Sequence, residues 1–242
     1  LRWVDHLRSG VILGSDVRHI GSVLRMKPGE KLMVNAGGDL EYLCEIANIE
    51  RDSVSLRVLE GRQETRELPV SITLYQGLPK AEKMELIVQK AVELGAAAIV
   101  PVEMHRSVVR LDEKKAAVKQ KRWQAIAEAA AKQAGRSVIP EVSLPISFKE
   151  ALRRVEAEGT ELRLLPYERA AGMAATRDLI RSVKAGQRVA VMIGPEGGFE
   201  ETEVEAAEAE GFHALTLGKR ILRTETAGLV MLSLLMAETE ED

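Results

Sequence analysis

The apolar residues of this 242-residue chain change their rhythm once, at Pro69, and that change constrains the fold more than any other feature. Ahead of it lie short runs rich in Val, Ile and Leu at 10–13, 31–35, 42–49 and 53–59. The turn signals Pro28-Gly29, Gly37-Gly38-Asp39 and Arg51-Asp52 separate them. Such spacing predicts a small antiparallel barrel or sandwich, with a short helix over 16–26 inserted in it. The polar stretch 60–67 reads as a linker. Behind Pro69 the pattern becomes strand, helix, strand, helix. Residues 70–76 alternate like a strand, and Met84, Ile87, Val88, Ala91 and Leu94 recur at helical spacing in 81–94, which Gly95 closes. A buried strand follows at 98–102. Next comes a long helix at 113–134, with Trp123, Ile126, Ala130 and Ala134 on one side. Strands at 162–165 and 188–193, a helix at 200–210, a strand at 214–217 and an apolar helix at 226–237 complete the series. This alternation predicts an α/β region, a mostly parallel sheet with helices on both faces. Two domains are therefore expected, 1–68 and 69–242.

Composition excludes several classes. With 45% hydrophobic residues and a net charge of −3, the chain is too apolar and too balanced to be disordered. Its longest apolar run, 227–237, is broken by Gly228 and Ser233 and is too short to span a bilayer, so no membrane partner is expected. No basic-then-apolar leader opens the sequence, so no secretion signal is expected, and the start at Leu1 suggests a trimmed terminus. The single cysteine, Cys44, allows no internal disulfide and fits a reducing cytoplasm. The four histidines (His6, His19, His105, His213) are widely separated, which argues against a metal site. No Gly-x-Ser-x-Gly nucleophile elbow appears.

Charge is unevenly spread. Residues 1–68 hold 10 basic and 11 acidic side chains, 79–140 hold 12 and 7, and 141–242 hold 12 and 19. The net charge alone argues against nucleic acid, whereas the middle segment suits phosphate backbones, with a solvated helix face as the plain alternative. Cations placed to meet phosphates are His19, Arg25, Lys80, Lys83, Arg106, Arg110, Arg122, Lys132 and Arg136. Aromatic residues make up only 3% of the chain, so recognition would rest on phosphate and shape rather than stacking.

The sharpest local motif is Gly194-Pro195-Glu196-Gly197-Gly198-Phe199, directly after one strand and before a helix. Ligands of α/β sheets bind at the carboxyl ends of strands, and glycines there let backbone approach a ligand. Neither a Walker loop nor the dinucleotide fingerprint fits its spacing, and a simple tight turn is the alternative. A second loop, Leu217 to Ala227, also joins a strand to a helix. Thr224 or Thr226 is a candidate cap there.

Taken in order, these motifs resemble a known family. The segments His19-Ile20-Gly21-Ser22-Val23-Leu24-Arg25, Lys80-Ala81-Glu82-Lys83-Met84-Glu85, Glu93-Leu94-Gly95, Arg122-Trp123, Ile193 to Phe199 and Leu217 to Ala227 are similar to the ribosomal RNA small subunit methyltransferase E family of SPOUT (α/β-knot) enzymes. The resemblance runs from about residue 10 to 235. It implies an N-terminal PUA-like β-barrel that binds RNA, and a C-terminal domain tied in a trefoil knot. It also implies S-adenosylmethionine as cofactor, held by Leu165, Pro166, Gly194, Pro195, Glu196, Gly197, Gly198, Leu217, Gly218, Ile221, Leu222, Arg223, Thr226 and Ala227. A homodimer with the site completed across its interface is implied as well. The implied reaction is methylation of N3 of one uridine in 16S ribosomal RNA of the small subunit. Uracil N3 must lose a proton, so Arg223 is the expected stabiliser of the anion and Glu196 or Glu225 the expected acceptor. A related 2′-O-ribose methyltransferase and an inactive RNA-binding assembly module remain the alternatives.

Overall fold

The computed structural model describes residues 2–4, 9–35, 40–63, 66–170 and 172–240; the Gly37-Gly38-Asp39 turn signal and His6 lie outside them. The chain divides into two compact units, Leu1–Arg66 and Glu67–Asp242.

In the first unit, β1 (Arg2–Val4), β2 (Ser9–Leu13), β3 (Lys31–Asn35), β4 (Leu40–Ile49) and β5 (Ser53–Gln63) form one antiparallel sheet in the order β1-β2-β5-β4-β3. Between β2 and β3 lies α1 (Ser15–Arg18), which runs on into a π-type turn, His19–Val23. Alternate strand residues (Ile12, Val34, Tyr42, Cys44, Ile46, Val54, Leu56) point inward and meet Val17 and Ile20. Burial pushes the Cys44 thiol up from its ordinary pKa. The stretch read as a linker is strand as far as Gln63, where it pairs with Leu40. Its polar side chains suggested a linker, but backbone pairing needs no apolar residues. A Cβ at Gly61 would lie 2.9 Å from the buried Tyr42 ring, so a side chain there would have to displace that ring.

The second unit contains β6 (Ser71–Gly77), α2 (Lys83–Glu93), β7 (Ala98–Glu103), α3 (Glu113–Ala134), β8 (Glu141–Val142), β9 (Ile146–Ser147), α4 (Phe148–Ala157), β10 (Leu162–Pro166), α5 (Met173–Arg181), β11 (Arg188–Ile193), α6 (Glu201–Ala209), β12 (His213–Leu215) and α7 (Thr224–Thr239). Its sheet is parallel, in the order β12-β10-β11-β6-β7-β8, with β9 also on β7. Period-two alternation sends neighbouring residues to opposite cores. Leu74, Val191 and Ile193 join Ile87, Trp123 and Leu232 on one face, while Tyr75, Met192 and Leu165 join Leu152 and Val204 on the other.

Helix boundaries follow local chemistry. Asp112 caps α3 by accepting the Lys115 N–H at 2.8 Å, and Gly135 ends it at φ 70°. Ser147 with Glu150, and Glu200 with Glu203, form reciprocal boxes at the starts of α4 and α6. Helices α4 and α5 were not anticipated from the apolar rhythm. The cap of α7 also differs from expectation. Arg223 is the N-cap residue, and Thr224 is already helical with its hydroxyl turned into the core. Helix α7 crosses to pack on α2, α5, β6 and β11.

Candidate functional site

Three loops leave the carboxyl ends of β10, β11 and β12, and all three line one depression of about 440 Å³ with a side recess of about 110 Å³. The main cavity is walled by Pro166 and Glu168, by Ile193 to Phe199, and by Ile221 to Thr224 with Ala227 and Lys83. Thr216 to Arg220 and Tyr167 enclose the recess. Its size falls in the range of roughly 300–1,000 Å³ usual for small-molecule sites.

The glycine-rich loop is shaped by close approach. A Cβ at Gly77, the last residue of β6, would stand 2.5 Å from the Pro195 nitrogen and 2.8 Å from the Gly194 carbonyl carbon. A Cβ at Gly194 would lie 3.2 Å from Gly198 and the Phe199 ring, and Gly198 holds φ +69°. Gly77 and Gly194 thus let backbone pack directly on backbone, which fixes the course of the loop at the cavity wall. Gly197 lines the cavity too, but a Cβ there would meet Arg106 at 2.8 Å, so a side chain would press on the neighbouring loop.

Buried hydrogen bonds stitch the loop to the last helix. Thr224 Oγ1 donates to Gly194 O at 2.6 Å and accepts from Gln76 Nε2 at 2.8 Å; both side chains are buried. On the outer side, Arg106 donates from Nε to Glu200 at 2.9 Å and from Nη1 to Gly197 O at 3.1 Å. The Arg106 guanidinium holds the Glu200 carboxyl below the usual carboxylate range.

At the cavity edge, Lys83 Nζ lies 3.1 Å from Glu196 Oε1 and 3.2 Å from Glu225 Oε2. The Lys80 amide also donates to Glu196 Oε1 at 3.0 Å. Burial alone would raise the Glu196 carboxyl, but the Lys80 amide, its own amide and the Lys83 ammonium outweigh burial and hold it low. Conversely, the hydrogen bond to Glu196 raises Lys83 against the effect of burial, and Glu225 adds to it.

Most cofactor residues expected from sequence line these two cavities; Leu165 and Thr226 do not. Leu165 is fully buried in the core beneath α4 and α6, because alternation turns it away from the loop side. Thr226 is exposed on the first turn of α7. Glu196 and Glu225, the expected acceptors, are both ion-paired with Lys83. The Arg223 side chain is exposed at the cavity rim with no hydrogen bond or ion pair among the described residues.

The cations expected to meet RNA divide sharply. Arg136 is 8% exposed and donates to Glu67 and to the carbonyls of Val92 and Ala96, so it is a structural clamp that cannot reach a phosphate. Lys83 belongs to the cavity, and Arg106 holds the glycine-rich loop. Arg122 donates to Glu85 at 2.8 Å, and Arg110 to His105 O at 3.3 Å, from exposed positions. Lys132 is exposed on α3; Lys80 is exposed ahead of α2, and His19 and Arg25 are exposed in the first unit. Glu168, Tyr167, Thr216 and Phe199 line these cavities as well, beyond the residues expected from sequence. The rule that ligands sit beyond strand ends applies to Tyr167 and Glu168, just past β10.

An RNA methyltransferase domain family matches residues 66–236, and an RNA methyltransferase PUA domain family matches residues 12–59. Ribosomal RNA small subunit methyltransferase E of Bacillus subtilis is 39% identical over 95% of this chain and 90% of its own length. A methyltransferase from Legionella pneumophila, solved with the bound cofactor SAM, is 34% identical with a TM-score of 0.82, over 97% of this chain and 94% of that one. The ribosomal RNA small subunit methyltransferase E of Neisseria gonorrhoeae, solved bound to S-adenosyl methionine, is 32% identical with a TM-score of 0.82, covering 98% and 95%.

Proposed function

Because the chain belongs to the ribosomal RNA small subunit methyltransferase E family, we propose that it methylates N3 of a uridine in 16S ribosomal RNA with S-adenosylmethionine as donor. The observation that carries this reading is the 440 Å³ cavity built from three strand-end loops around Gly194, Gly197 and Gly198. The two relatives solved with that cofactor cover nearly the whole chain.

When bound, S-adenosylmethionine supplies an electrophilic methyl group on a sulfonium. This chain's residues then have to position, exclude water and manage one proton. Backbone of 194–198 and 217–222 forms the walls against which adenine and ribose would lie. Arg223, unpaired at the rim, is the cation assigned to the uracil anion. Glu196 and Glu225 are both ion-paired with Lys83, so we assign the acceptor role to Glu168, a lining carboxylate whose side chain has no hydrogen-bond partner among the described residues.

RNA contacts are proposed for His19 and Arg25 in the PUA-like unit and for Lys80, Arg110, Arg122 and Lys132 in the second. A homodimer is proposed, as the family resemblance implies, with Ile221, 86% exposed beside the cavity, as a candidate contact. Cytoplasmic action is proposed from the substrate and the free, buried Cys44. Among the described residues no helix is long and apolar enough to cross a membrane.

Incubation with methyl-labelled cofactor and undermethylated small subunits is expected to label N3 of a uridine. Label on ribose would favour the 2′-O alternative. Absence of cofactor binding by calorimetry would favour an inactive assembly module.

A further inference from the structure

Lys83 belongs to a motif that sequence reading assigned to RNA, yet its ammonium points at the cofactor cavity. It lies within 3.2 Å of two carboxylates from distant parts of the chain, Glu196 on the glycine-rich loop and Glu225 on the first turn of α7. Two carboxylates this close to one point repel each other unless a cation stands between them. Their side chains are only 26% and 15% exposed, so water screens that repulsion incompletely. Other charges facing this region are Glu168 and Arg223 across the cavity, and Glu82, Glu85 and Arg122 on the α2 side. Arg122 is itself occupied by Glu85, so Lys83 is the cation that bridges loop and helix.

We propose that Lys83 is a positioning residue for the transfer reaction, an ammonium pin that holds Glu196 and Glu225 together and thereby sets the glycine-rich loop against α7. The inference rests on the cofactor reading above. It assigns Lys83 a task that a phosphate contact would not share: without the pin, the loop carboxylate is repelled from the helix and the cradle loses its shape. The Lys80 amide and Glu196's own amide are then all that hold its carboxylate.

Calorimetric titration with S-adenosylmethionine, alongside RNA-binding measurements, tests this on the full chain. Lys83→Met is expected to weaken cofactor affinity roughly tenfold or more, as misplacement of a binding wall does. Lys83→Arg should retain most of the affinity. The double variant Lys83→Met with Glu196→Gln should recover affinity relative to Lys83→Met alone, because the orphaned charge is gone. The pH profile supplies a further readout. The wild type keeps Glu196 ionised well into acid, since its pKa is held low. Lys83→Met removes part of what holds that carboxyl low, so its protonation moves up in pH, and the variant's affinity is expected to recover in acid, where the orphaned charge is neutralised, while the wild type's does not. Additive losses in the double variant, or unchanged cofactor affinity in Lys83→Met with weakened RNA binding, would overturn the pin. A wild-type chain that bound no cofactor would overturn the underlying reading and this one with it.

Discussion

Two of the cavity's walls have opposite character. The 194–199 wall is held from every side: Gly77 abuts it, Thr224 bonds its carbonyl, Arg106 clamps its outer edge and Lys83 pins its carboxylate. The 218–223 wall has almost no such support. Ile221 is 86% exposed, Lys219, Arg220 and Arg223 are exposed, and Gly218 sits at φ +115° with open space around it. The first wall is finished by folding. The second presents its groups to whatever binds there. Stability should therefore be concentrated in one wall, and dependence on substrate or on a second copy in the other.

The strongest test of that contrast is Gly77→Ala. A methyl 2.5 Å from the Pro195 nitrogen meets backbone rather than a flexible side chain, so either β6 or the loop must shift. Overpacking of this kind costs about 3 kcal/mol. Thermal unfolding should fall by roughly 6–12 °C for a unit of this size, with cofactor affinity lost in parallel. An unchanged melting temperature would show that the loop is not held as described.

Thr224→Val comes next. It keeps the shape but strands the Gln76 amide and the Gly194 carbonyl, both buried. Unsatisfied buried groups cost about 1–3 kcal/mol each, and Gln76 still reaches Gly77 O, so a loss of about 2 kcal/mol is expected. Chemical denaturation measures it. A neutral substitution would mean that the stitch adds nothing to the tight packing around it.

The same contrast explains what could be read from the amino-acid sequence. The Gly194–Gly198 loop was legible because glycines between a strand and a helix leave a local signature. Leu165 was misplaced because its neighbour Leu164 faces the opposite core, and one residue of register decides which of them faces a loop. Arg136 looked like an RNA contact because a cation reads the same whether buried on Glu67 or free in water. Lys83 meets partners 113 and 142 positions away, and no local pattern encodes such a meeting. Helices α4 and α5 were missed since their short apolar faces are diluted by Arg, Glu and Ala.

The smallest effect on stability, and the sharpest on function, is expected at the open wall. Arg223→Ala removes an exposed side chain that has no partner, so its effect on unfolding should stay within about 0.5 kcal/mol. Cofactor affinity should also change little, because the glycine-rich wall is intact. If Arg223 stabilises the uracil anion, the lost interaction exists mainly in the transition state. In that case kcat and kcat/KM for RNA fall together by about 10²-fold while KM stays put. Steady-state kinetics at saturating cofactor separates the outcomes. A rise in KM alone would make Arg223 a phosphate contact, and a fall in melting temperature would erase the distinction between the two walls.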